Sequence, residues 1–102
     1  MRLRWTRLAL QDFEDAYDYV ACDSVDAARV IAKRIGDATR KLARYPLIGR
    51  PGLEPGTREW VVRRTRYLLV YEVTPDALSI LRVWHMSKQR AESEDDSEGG
   101  AA

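Results

Sequence analysis

Tyr67-Leu68-Leu69-Val70-Tyr71-Glu72-Val73, then Thr74-Pro75-Asp76-Ala77, then Leu78-Ser79-Ile80-Leu81-Arg82-Val83-Trp84: the fold turns on this stretch. Two runs rich in valine, isoleucine, leucine and aromatic side chains flank a four-residue gap holding proline and aspartate. That pattern predicts two antiparallel strands joined by a hairpin. A third run, Arg58 to Val62, precedes them across Arg63-Arg64-Thr65-Arg66, again a gap of hairpin length. Together they predict a three-strand meander. Leu68, Leu69 and Val70, like Ile80 and Leu81, put apolar side chains on both faces of their strands. Helices are expected to cover one face and a partner the other.

Working back toward the N-terminus, Pro46 to Thr57 reads PLIGRPGLEPGT, with three prolines and three glycines. This predicts an ordered loop of several turns without a regular element, with Gly49, Gly52 and Gly56 serving turn geometry. Before it, Ala28, Ile31, Ile35, Ala38, Leu42 and Tyr45 step by three and four residues, flanked by Arg29, Lys33, Arg34, Arg40, Lys41 and Arg44. The spacing predicts a long amphipathic helix from Val25, basic outside and ended at Tyr45-Pro46, because a residue before proline is pushed out of the helical region. Ala9, Phe13, Ala16, Tyr17 and Val20 make a shorter stripe, with Asp12, Glu14, Asp15 and Asp18 read as an acidic outer face. Thr6 and Ser24 are the expected N-caps of the two helices. Arg2 to Trp5 alternates polar and apolar and is expected to join the sheet as a fourth strand. The order β-α-α-β-β-β predicts an α+β fold in which an αα-hairpin packs on a small antiparallel sheet.

The chain has 102 residues, 45% of them hydrophobic, enough for one core and too few for two. The single cysteine, Cys22, cannot form an internal disulfide and is expected to be a free, buried thiol. The N-terminus, MRLRWTRLALQDFED, breaks its apolar stretch with charge, so neither a signal peptide nor a membrane span is expected, and a cytoplasmic location follows.

The net charge of +1 hides an asymmetry. Residues 91–102 carry Glu92, Glu94, Asp95, Asp96 and Glu98 and no lysine or arginine, leaving 17 basic and 11 acidic residues in 1–90, a net of +6. The expected organisation is a basic domain over 1–90 followed by an acidic, solvated, disordered tail over 91–102.

Four elements in order, Tyr45-Pro46-Leu47-Ile48-Gly49-Arg50-Pro51-Gly52, Gly56-Thr57-Arg58-Glu59, Tyr67 to Val73, and Ile80-Leu81-Arg82-Val83-Trp84-His85, resemble the pattern of the RelE/ParE toxin superfamily from about residue 3 to residue 88. The resemblance implies the toxin of a type II toxin–antitoxin system of the growth-inhibiting, plasmid-stabilising kind. A cognate antitoxin would hold it inactive in a hetero-oligomer, with a segment that folds over the toxin's helices and sheet. The superfamily divides by target: RelE-like members cut messenger RNA on the ribosome, whereas ParE-like members poison DNA gyrase.

A metal-independent endonuclease needs a base for the 2′-hydroxyl, cations for the charge on phosphorus and a proton donor for the leaving oxygen. His85 for proton transfer, Glu59 as base and Arg82 as cation are the catalytic candidates under that reading. Arg58, Arg63, Arg64, Arg66 and Arg82 are the candidates for binding a target or nucleic acid. RelE-like nucleases resemble one another in an arginine three positions before the central-strand tyrosine, where Leu68 precedes Tyr71 here. They also tend to carry a tyrosine at or beside the place of His85, where this chain has Met86. The wording is closer to the ParE-like branch, so gyrase is the favoured target, the ribosome with its message the alternative, and an inactive interaction module the third reading.

Arg82 lies in an apolar strand, with Ile80 and Trp84 expected on its side by alternation, and a charge placed there calls for a partner. His85 reads equally as a structural hydrogen-bonding residue, and Arg63 to Arg66 as a solvated hairpin. One histidine and one cysteine far apart make no metal set, and no lysine-serine or lysine-threonine pair follows the glycines of the loop. Neither a metal nor another cofactor is expected.

Overall fold

The structure, a computed structural model, describes residues 1–87. The tail expected over 91–102 lies outside the described residues. The elements are β1 (Arg2–Trp5), α1 (Arg7–Ala21), α2 (Val25–Arg44), β2 (Arg50–Pro51), β3 (Thr57–Val61), β4 (Tyr67–Val73) and β5 (Ala77–His85). Thr6 Oγ1 accepts from Ala9 N at 3.2 Å and Ser24 Oγ from Ala27 N at 3.0 Å, so both expected caps satisfy a first-turn amide that would otherwise lack a partner. Lys41 and Arg44 in the last turn of α2 place positive charge against the negative end of the helix dipole.

The five strands form one sheet in the order β1-β5-β4-β3-β2. β2 through β5 pair antiparallel, as expected of a meander. β1 adds to β5 in parallel, with Trp5 opposite Ile80, so the sheet is mixed rather than wholly antiparallel. The two intervening helices make that possible, because a parallel connection needs a long crossover. The loop also departs from expectation. Arg50 and Pro51 pair with Glu59 and Arg58 as a two-residue edge strand. Proline is tolerated there because the outer side of an edge strand needs no amide.

The core lies between the αα-hairpin and one face of the sheet. Ala9, Ile35 and Leu42 meet Leu69, Tyr71, Leu78, Ile80 and Val62, all essentially inaccessible to solvent. Trp5 packs edge-on against Phe13 with ring centroids 5.7 Å apart. Tyr45, counted with the α2 stripe, is exposed because the helix has ended at Arg44. Cys22 is exposed as well, contrary to expectation. It sits at the C-cap of α1, where the chain turns outward before Ser24.

Candidate functional site

Directly paired residues on neighbouring strands point to the same face, so the register sorts the candidate residues. Arg58, Tyr71 and Ile80 form one row, and Trp60, Leu69 and Val83 the next. The core packing of Tyr71, Ile80, Leu69 and Val83 identifies this face as the helix side. Tyr67 and His85 extend it. The opposite face carries Glu59, Val70 and Arg82 in one row and Val61, Leu68 and Trp84 in the next.

A β-bulge decides the placement of Arg82. The register slips between Val70 and Tyr71, which pair with Arg82 and Ile80 and leave Leu81 as the extra residue. An extra residue reverses the alternation beyond it. Ile80 therefore faces the helices, whereas Arg82 shares the opposite face with Trp84; the expected grouping with Ile80 is corrected. The Arg82 guanidinium lies 5.5 Å from the Trp84 ring centre.

Arg82 then reaches round the edge of β5 to α1. Its Nε donates to Asp12 Oδ2 at 2.7 Å and its Nη2 to Asp12 Oδ1 at 3.1 Å, a two-pronged pair. The Val83 amide donates to the same Oδ2 at 3.0 Å. β1 ends opposite Ile80, so beyond that point the edge of β5 has no strand beside it. Thr6 and Asp12 take over: Thr6 N and Oγ1 donate to Ile80 O at 3.1 and 3.0 Å, and Asp12 receives Val83 N. The partner that Arg82 called for is thus Asp12, placed by sequence on an outer acidic face but only 15% exposed. A signal was available. Asp12 stands three residues after Ala9 and four before Ala16, inside the buried stripe, and so mirrors the lone arginine in an apolar strand.

The other candidates are engaged in turn. Arg58 Nη1 donates to Gly49 O at 2.8 Å and Leu47 O at 3.3 Å, fastening the loop. Glu59 pairs with Arg50 at 3.1 Å. His85 packs edge-on against Tyr67, centroids 5.3 Å apart. Arg63, Arg64 and Arg66 are exposed on the β3–β4 turn, where Arg64 adopts a left-handed φ of 61° and its carbonyl accepts from Arg34 at 3.0 Å. Glu59 and Arg82 share a row two strands apart, about 10 Å by sheet spacing, but His85 faces the opposite way. The three catalytic candidates do not converge.

The loop is held by Tyr71, whose hydroxyl donates to Pro46 O at 2.8 Å and accepts from Gly49 N at 2.9 Å. A side chain at Gly49 would overlap that hydroxyl and stand 2.8 Å from Glu59 O. Close approach, rather than turn geometry, requires this glycine. Gly56, with φ of 83°, does serve a turn. Burial pushes the Tyr71 phenol above its usual pKa, against the opposing pull of the Gly49 amide and the Arg58 charge. Burial also raises Tyr67, with a smaller contribution from Tyr19.

Among the described residues no group of three histidine, cysteine, aspartate or glutamate side chains is placed to hold a metal ion, and no helix is long and apolar enough to cross a membrane. The Trp84 Nε1 donor is buried without a hydrogen-bond partner among the described residues.

Comparison with known proteins agrees with this architecture. Residues 3–90 match the family described as ParE toxin of type II toxin-antitoxin system, parDE. A protein of Sinorhizobium fredii named "Putative toxin Y4kP" is 40% identical over 88 residues, 86% of this chain and 91% of that protein. A chain of the solved chromosomal ParDE toxin-antitoxin system from P. aeruginosa superposes with a TM-score of 0.74 at 28% identity, covering 83% of this chain and 95% of the other. With a family match over nearly all the described residues and a close relative along most of its length, the chain belongs to the ParE toxin family of type II toxin–antitoxin systems.

Proposed function

We propose that this ParE-family toxin acts by binding DNA gyrase rather than by cutting RNA, and that a cognate cytoplasmic antitoxin silences it by covering its helices and sheet. The observation that carries the reading is the divergence of the groups a nuclease would need. His85 faces the helices, while Glu59 and Arg82 lie on the opposite face of the sheet. Arg82 is paired with Asp12 and Glu59 with Arg50. General acid–base chemistry needs its groups within hydrogen-bond reach of one substrate. Leu68, at the place where the nuclease pattern carries an arginine, is a buried apolar residue of the face away from the helices.

Exposed apolar side chains support the antitoxin part of the proposal. Leu8 and Leu10 on α1, Val30 on α2, and Leu47 and Leu53 on the loop all stand in solvent, and such surface suits a segment that folds as it binds. Arg63, Arg64 and Arg66 are the basic side chains best placed to meet the target, since Arg58 and Arg82 already hold the fold together. The test is a supercoiling assay with purified gyrase. The toxin should block supercoiling and trap cleaved DNA, and adding antitoxin in equal amount should restore activity. Unimpaired gyrase, with message cleaved in a ribosome-containing extract, would sink the proposal.

A further inference from the structure

The β3–β4 turn and the outer side of α2 enclose an open groove of about 400 Å³. Arg34, Lys41, Arg63 and Arg64 line it, with Trp60 as its apolar wall and Asp37 as its one acid among the described residues. The Asp37 carboxylate is already held by Lys33 and Arg40, which keep its pKa below the usual range. The Lys41 ammonium lies 5.2 Å from the Trp60 ring centre, and Arg34 is anchored on the Arg64 carbonyl. Arg64 holds the left-handed φ of 61° that a glycine would take without strain. The fold thus tolerates a strained backbone while keeping an arginine at the rim of the groove.

The described chain ends beside this groove. Met86 N donates to Arg66 O at 2.8 Å, tying the end of β5 to the turn that carries Arg63 and Arg64. Fifteen further residues follow Ser87, with Glu92, Glu94, Asp95, Asp96 and Glu98 among them. Arg64 lies two residues from Arg66, about 7 Å of backbone, and the five residues from Ser87 to Glu92 can span up to about 17 Å. A tethered acidic segment at such range has an effective concentration on the order of millimolar. Length, starting point and charge therefore fit one occupant.

We infer that the groove lined by Arg34, Lys41, Arg63 and Arg64 binds the chain's own acidic segment, Glu92 to Glu98. An acidic ligand from outside has to displace it. The pairs are exposed and individually weak, so the contact is an exchangeable cover, sensitive to salt.

The test compares amide and indole spectra of the full 102-residue chain with those of a full-length variant, E92Q/E94Q/D95N/D96N/E98Q, at low salt. The expected result is a shift of the Trp60 indole and of the Arg63, Arg64 and Lys41 amides, with the signals of β1 and the N-terminal half of α1 unmoved. The shift should vanish in about 1 M salt, where charges are screened within about 3 Å. It should also vanish when the same comparison is made in an Arg63→Gln/Arg64→Gly background, whose dispersed spectrum reports that the fold is intact. Unchanged groove signals, or shifts of equal size at Arg2, Arg4 and Arg29, would overturn the inference.

Discussion

Arg82 and the arginines of the β3–β4 turn carry the same charge on neighbouring parts of one sheet, and the fold uses them in opposite ways. Arg82 is one-third exposed and gripped by a carboxylate that is 15% exposed, which also satisfies a strand-edge amide. Arg63, Arg64 and Arg66 project into water from a turn. Coulomb attraction strengthens and desolvation grows together as charges leave water, so a partly buried pair becomes a structural fastening whose loss is felt. Charges in solvent are screened and contribute little to the fold. Counting arginines says nothing of this difference; what surrounds each one decides it.

The largest break of that contrast is Asp12→Ala, which takes one carboxylate away from the Arg82 guanidinium and the Val83 amide together. Urea unfolding should show a loss of about 3 kcal/mol, at the low end for breaking a buried pair because Arg82 keeps some access to water. Asp12→Asn, which retains an acceptor for Val83 N, should lose roughly half as much. Equal losses in the two variants would mean that the amide bond, rather than the charge pair, is unimportant to the fastening.

A neutral anchor sharpens the comparison. Tyr71→Phe removes the bonds to Pro46 O and Gly49 N, and the expected loss is about 1–2 kcal/mol, with faster hydrogen exchange at the Gly49 amide. The same tyrosine gives a pH signature. Both phenols are raised above 10.0 in the folded chain, so the folded state holds protons that the unfolded state releases. Their contribution is complete below pH 10 and is lost as the pH rises through the higher folded values. Tyr71→Phe should flatten the alkaline fall of the melting temperature; an unchanged slope would assign it to other groups.

The smallest effects belong to the turn. Arg64→Gly should raise stability by roughly 0.5–1 kcal/mol by relieving the left-handed backbone. Arg63→Ala should stay within about 0.5 kcal/mol of the parent in thermal melts. A loss of about 2 kcal/mol from either would place these arginines with Arg82 and erase the contrast.

The helices, their caps and four of the five strands are readable in sequence because each rests on local rules: three-and-four spacing, a hydroxyl before the first turn, polar–apolar alternation, apolar runs divided by turn residues. Arg82 shows where local rules stop. Alternation puts it beside Ile80, and the bulge at Leu81 reverses it; nothing in Ile80-Leu81-Arg82 announces an extra residue. Asp12 is hard to place for a related reason, since a charge within a buried stripe reads as surface until its partner from another element is known. β1's parallel pairing and the short β2 likewise depend on contacts distant in sequence. Of the candidate site, the residue types were legible, but their division between two faces was not.

That division is what favours the proposed binding of a protein target over cleavage of message. The most direct measurement is pulse labelling of DNA and protein synthesis in the same cells after induction without antitoxin. A gyrase poison is expected to stop DNA synthesis first, with a rise in the DNA-damage response and intact messages. Protein synthesis stopping first, with messages cut, would contradict the proposal.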